Sequence, residues 1–60
     1  MNNLKKGDKV IVVKNIPSVD GMLHEGTKAK IDIIVSDEGL RIVDETGKIW
    51  YVGTSDVEKI

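Results

Sequence analysis

Residues 40–53 read LRIVDETGKIWYVG, two β-branched and aromatic runs on either side of the polar tetrad Asp44-Glu45-Thr46-Gly47. A tetrad of this kind signals a hairpin. It suits a type I turn whose last residue is a glycine with positive φ, the three-residue loop with a glycine bulge. That turn fixes a register. Asp44 then faces Lys48, Ile42 faces Trp50 and Leu40 faces Val52 on one side of the sheet, while Arg41 faces Tyr51 and Val43 faces Ile49 on the other. A two-residue turn at Thr46-Gly47 would shift these partners. Under either register adjacent strand side chains point to opposite faces, so only one of the neighbouring rings Trp50 and Tyr51 enters a core. The side with Leu40, Ile42, Trp50 and Val52 is apolar away from the turn, whereas the other carries Arg41. Trp50 is therefore expected inside and Tyr51 outside.

Working outward, Ser36-Asp37-Glu38-Gly39 looks like a copy of the same turn. The same rule pairs Ser36 with Leu40 and Ile34 with Ile42, which puts Ile34 in the core. Ala29 and Ile31 also read inward, since they alternate with Lys28, Lys30 and Asp32. Keeping 29, 31 and 34 on one side needs a slip in phase, and a bulge or bend near Asp32-Ile33 would supply it. Strands are expected at 8–14 (DKVIVVK, with Val10 and Val12 inward), 27–35, 40–45 and 48–53. After them, TSDVEKI offers a helical turn and a short closing strand. Between the first two strands, NIPSVDGMLHEG (15–26) reads as a long loop, too long for a tight hairpin and too polar and glycine-marked for a helix. Its Ile16, Val19, Met22 and Leu23 call for burial.

Sixty residues, with 9 basic against 10 acidic side chains and no cysteine, make one domain over 1–60. A chain of this size removes only about 60% of its unfolded surface from water. Disulfides and the common zinc sites are excluded, which leaves packing or self-association as reinforcement. The charges are scattered, as on a solvated surface, and the balance argues against a broad phosphate-binding face. The opening MNNLKKGDKV has no apolar stretch suited to a signal peptide, and VIVV and IIV are too short to span a bilayer. A cytoplasmic location and no membrane partner are the expectation.

The runs LKKGDKVIVV, EGTKAKI, VDETGKIWYV and DVEKI, set around a long first loop, resemble bacterial and phage Src-homology-3-like (SH3-like) barrels, including KOW-type and YorP-like small proteins. The resemblance covers nearly the whole chain and its motifs are structural. Gly7-Asp8 opens the first strand, Gly26 and Ala29 fall where such barrels use small residues, Asp44 through Gly47 make the hairpin, and Asp56-Val57-Glu58 matches the terminal turn. It implies an all-β, five-stranded, partly open barrel with a short helical turn before the last strand. It also implies a small accessory protein of phage or prophage origin. The chain departs from the peptide-binding members, whose groove for proline-rich ligands is lined by aromatic rings: the 15–26 loop has none, and a lone exposed Tyr51 makes no such groove. It departs as well from KOW-type members, which are basic around that loop, where this chain has Asp20 and Glu25 and no Lys or Arg.

No catalytic, phosphate-binding or metal-ligating pattern can be assembled from these residues, so neither enzymatic activity, a cofactor nor a small-molecule substrate is expected. His24 stands alone in a polar loop without the partners that catalysis or metal binding needs. Asp37-Glu38 and Asp44-Glu45 sit where turns favour acidic residues. The informative feature is apolar. The inferred register sends Ile11, Val13, Ile33, Val35, Val43, Ile49 and Tyr51 outward, too many for scattered singles unless the 15–26 loop covers them, and contiguous exposed apolar area marks contact. The expected function is that of a non-enzymatic protein-interaction module. Its candidate face, for a protein partner or a second copy, is Tyr51, Val43, Val35, Ile33 and Arg41. The alternative is a KOW-like nucleic-acid or ribosome-associated module, in which Lys28, Lys30 and Arg41 form a cationic patch beside Tyr51 as a stacking ring.

Overall fold

Among the described residues the chain forms seven short strands and one 3₁₀ turn: β1 (Lys9–Val12), β2 (Ile16–Ser18), β3 (Gly21–Leu23), β4 (Lys28–Ile34), β5 (Gly39–Asp44), β6 (Ile49–Gly53), the turn Thr54–Asp56, and β7 (Val57–Lys59). The computed structural model describes residues 4–19 and 21–60, so Asp20, one of the two carboxylates in the loop-charge argument, lies outside it. The protein is all-β. Five strands form one antiparallel sheet in the order β6-β5-β4-β1-β7, and β2-β3 form a separate hairpin.

The β5-β6 hairpin has the register expected of a glycine-bulge turn, with Leu40 opposite Val52, Arg41 opposite Tyr51, Ile42 opposite Trp50 and Val43 opposite Ile49. Gly47 takes φ +89°, where a Cβ would be strained, and its N–H donates to the Asp44 carbonyl at 3.0 Å. Trp50 is 9% exposed and Tyr51 70% exposed. Around Trp50 the core collects Val10, Val12, Leu23, Ala29, Ile31, Leu40, Ile42, Val52 and Val57.

The expected bulge is present. Ile31 pairs with Ile42 but Ile33 pairs with Arg41, so Asp32 is the extra residue on β4. The turn after β4 corrects the sequence reading. Gly39 is not among the positive-φ glycines; it is extended and begins β5 opposite Gly53. The loop closes instead with the N–H groups of Val35 and Ser36 both donating to the Gly39 carbonyl, at 3.0 and 3.1 Å, a second irregularity in the ladder. Ile34 consequently faces Leu40, not Ile42, and Ser36 faces Gly39, not Leu40. Ile34 is also not in the core, at 42% exposed. The extra residue bends β4 and carries its far end, with Ile33, Ile34 and Val35, away from the packed interior.

A second correction concerns residues 15–26, which hold the β2-β3 hairpin and not an irregular loop. Ile16 faces Leu23, Pro17 faces Met22 and Ser18 faces Gly21. Gly21, at φ +133°, supplies a backbone conformation that other residues rarely adopt, and the Ser18 hydroxyl donates to its carbonyl at 3.0 Å. At the base the Glu25 N–H donates to Asn15 Oδ1 at 2.8 Å. Of the four apolar side chains in this segment only Leu23 is fully buried; Ile16 packs half-buried on the core, Met22 is exposed and Val19 is fully exposed.

Candidate interaction surface

The outward face of the sheet is assembled by register. Ile33, Arg41 and Tyr51 form one row across β4, β5 and β6. Lys30, Val43 and Ile49 form the next row, which Lys9 of β1 extends. Four of the five expected interface residues thus share one face, and the fifth, Val35, borders a hollow with Tyr51 just beyond the end of β4. Ile33, Val35, Ile49 and Tyr51 are exposed, while Ile11, Val13 and Val43 are half-buried. The hairpin therefore does not cover this face.

Arg41 is anchored by the bulge residue. Its Nε donates to Asp32 Oδ2 at 2.7 Å and its Nη2 lies 2.6 Å from the same oxygen. The Asp32 carboxylate first, and the Tyr51 hydroxyl second, hold the guanidinium above its ordinary value. The Asp32 carboxylate thereby fixes the guanidinium and offsets part of its charge. Sequence reasoning missed Asp32 in this role. The charged alternation Lys28, Lys30, Asp32 suggested a solvated strand face, and only the bulge reveals that Asp32 turns toward Arg41.

Two hollows flank Tyr51. One, of about 340 Å³, is bordered by Val35, Glu38, Gly39, Leu40 and the β6 end. The other, of about 330 Å³, separates β6 from the β2-β3 hairpin and is lined by Ile16 to Val19 on one wall and Lys48 to Tyr51 on the other. The sequence reading allowed no groove beside Tyr51, because the 15–26 segment lacks aromatic residues. A cleft is present, walled by Pro17 and Val19 against Ile49, Trp50 and Tyr51.

Trp50 is held from the turn. Its Nε1–H donates to Asp44 Oδ2 at 2.9 Å, and the Lys48 ammonium lies 4.2 Å from the ring centroid. The other oxygen, Asp44 Oδ1, accepts from the Thr46 N–H at 2.8 Å, the Thr46 hydroxyl at 2.6 Å and the Lys48 N–H at 3.0 Å. Partial burial pushes the Asp44 carboxyl up, but hydrogen bonds from the Thr46 hydroxyl, the Trp50 indole and the Lys48 and Thr46 N–H groups outweigh it and pull the carboxyl down to about 2. Asp44, read from the sequence as a turn residue only, is therefore also the anchor of the core ring. Asp56 has a parallel duty at the 3₁₀ turn. The Gly53 N–H first, and the Lys14 ammonium second, lower its carboxyl against the opposing effect of burial.

Lys28 and Lys30 of the nucleic-acid alternative are exposed, and they gather with Lys9 around a third hollow, of about 390 Å³, that Asp44 and Glu45 also line. Arg41 and Tyr51 do not line it. Lys30 nevertheless lies in the row next to Arg41 and Tyr51 on the outward face. His24 is exposed, and its carbonyl caps Thr27, accepting the hydroxyl at 2.7 Å and the N–H at 3.2 Å. Among the described residues no group of three or more His, Asp or Glu side chains converges as metal ligands would, and no helix is long and apolar enough to cross a membrane. No family model matches the chain, and neither a curated protein nor a solved structure is significantly similar to it.

Proposed function

We propose that this chain is a non-enzymatic protein-interaction module built as a Src-homology-3-like, partly open barrel. The barrel reading is supported by the strand order β6-β5-β4-β1-β7, the bent β4, the hairpin inserted between β1 and β4, and the 3₁₀ turn before β7. The observation that carries the function is the ridge at Tyr51, 70% exposed, with Ile33, Val35 and Ile49 exposed around it and Arg41 braced beside it. An apolar face of this extent in so small a domain is stabilised by being covered. A protein partner should lose binding to the Tyr51→Ala variant and keep it with the Lys28→Ala/Lys30→Ala double variant. The opposite pattern would reject the assignment.

One observation favours the nucleic-acid alternative. Lys9 lies directly opposite Lys30 in the β1-β4 ladder, a like-charge cross-strand pair that an anion would relieve. Titration of a labelled single-stranded oligonucleotide through a salt series tests it. Affinity falling steeply with salt, and lost in Lys9→Ala/Lys30→Ala, would move the function to that hollow.

A further inference from the structure

The outer edge of β6, the last strand of the five-stranded sheet, has no strand beside it among the described residues. Antiparallel ladders alternate, so a residue whose backbone N–H and C=O face one neighbour has sequence neighbours facing the other way. The Asp44 N–H donates to the Lys48 carbonyl at 3.0 Å, which points residues 48, 50 and 52 toward β5. Ile49 and Tyr51 therefore turn their backbone groups to the side away from β5. Among the described residues no strand occupies that side, because β6 ends the sheet. The edge also lacks the usual protections, having no proline, bulge or charged side chain between Ile49 and Val52. Across a hollow of about 330 Å³ stands the β2-β3 hairpin, which shares no ladder with β6.

We infer that β6 pairs antiparallel with β6 of a second copy about a two-fold axis at Trp50, joining the two sheets into one. The register suits self-pairing. Centred on Trp50, it sets Ile49 of one copy opposite Tyr51 of the other, twice. Both residues are those whose N–H and C=O face outward, so each such pair exchanges both of its backbone hydrogen bonds. On the outward face the same register lays the Tyr51 ring, 70% exposed, against the Ile49 side chain, 49% exposed, an aromatic and β-branched cross-strand pair. A shift by one residue would bring Tyr51 opposite Trp50 and present backbone groups that are already bonded to β5. The symmetry is isologous and closed, so the pairing stops at a dimer. Its edge is short, which makes the dimer weak and concentration-dependent. This inference names a partner for the surface proposed above and rests on the same exposed residues.

Sedimentation over a concentration series, with amide hydrogen exchange measured at its two ends, tests the pairing. A monomer–dimer equilibrium is expected, in which the Ile49 and Tyr51 amides exchange more slowly as dimer forms and the Trp50 and Val52 amides, already bonded to β5, do not change. Two variants keep the test independent of folding. Ile49→Lys puts a charge on the edge, and Tyr51→Pro removes an N–H that β5 does not use. Each should weaken dimerisation by at least about tenfold while leaving the Trp50 signal of the folded monomer intact. A strict monomer, or a dimer whose Ile49 and Tyr51 amides exchange as in the monomer, would overturn the pairing. Neither result bears on a heterologous partner, which Tyr51→Ala tests separately.

Discussion

Replacing Asp44 by Asn keeps the size and one acceptor of the side chain but removes the charge that gathers the Thr46 hydroxyl, two backbone N–H groups and the Trp50 indole. The folded carboxyl titrates at about 2 against an ordinary 3.8, so the folded state favours the ionised form by 3.8 − 2 = 1.8 pH units. At about 1.4 kcal/mol per unit the difference is roughly 2.5 kcal/mol, and solvent screening of a half-buried group reduces it to about 1–2 kcal/mol. A 60-residue domain has on the order of 3–9 kcal/mol in total, so the loss is measurable by urea unfolding followed through the single tryptophan. The sign with pH follows from the same values. Because the folded carboxyl is depressed, its contribution is complete above about pH 4 and disappears as pH falls through about 2. Wild type should exceed Asp44→Asn by about 1–2 kcal/mol at pH 7, and the gap should close between pH 4 and 2. Taking the difference between the two proteins cancels the falling contribution of Asp56, which is depressed in both. Equal stabilities at pH 7, or a gap that persists unchanged at pH 2, would refute the assignment of Asp44 as an ionised anchor.

Trp50→Ala should be unfolded or nearly so, since truncating a core ring costs about 3–5 kcal/mol, whereas Tyr51→Ala should give a native circular-dichroism spectrum and a cooperative melt. Gly47→Ala should lose about 1 kcal/mol to backbone strain at φ +89° although open space surrounds its Cβ position. Gly39→Ala should lose less in the same denaturation assay, because its Cβ would meet the movable Ser36 hydroxyl at 3.1 Å and the Val35 Cβ at an ordinary 3.8 Å. Leu23→Ala should cost about 2–5 kcal/mol, and Val19→Ser, at a fully exposed position, should leave the melting temperature within a degree or two.

The β5-β6 register was legible because Asp44 through Gly47 admits a specific turn and the flanking residues carry a one-sided apolar pattern. From it followed Trp50 inside, Tyr51 outside and the gathering of Ile33, Arg41 and Val43 beside Tyr51. The Ser36 to Gly39 tetrad has nearly the same letters and a different backbone. In the second turn Asp44 Oδ1 collects the Thr46 N–H and hydroxyl and the Lys48 N–H, whereas Ser36 Oγ takes only a long 3.4 Å contact from Glu38. The glycine at 39 is then drawn into the ladder opposite Gly53. That difference lies in side-chain geometry, which composition does not encode, and it set Ile34 opposite Leu40 instead of Ile42. The β2-β3 hairpin escaped notice because strands of three residues around Ser18 and Gly21 leave too little periodicity to detect. The Asp32–Arg41 contact required knowing which residue of β4 is the extra one.

The β2-β3 hairpin shares no ladder with the five-stranded sheet, and among its described residues Leu23 is the only fully buried side chain. Its attachment is therefore local: detaching it exposes chiefly one leucine and the inner face of Ile16, far less than global unfolding exposes. The hairpin should therefore open at a lower free energy than the five-stranded sheet, its amides exchanging through excursions that leave β4, β5 and β6 intact. Since it forms one wall of the cleft along β6, those excursions set how often that cleft widens. Changes of length around Val19 would then alter the frequency of opening while the sheet itself remains as it is.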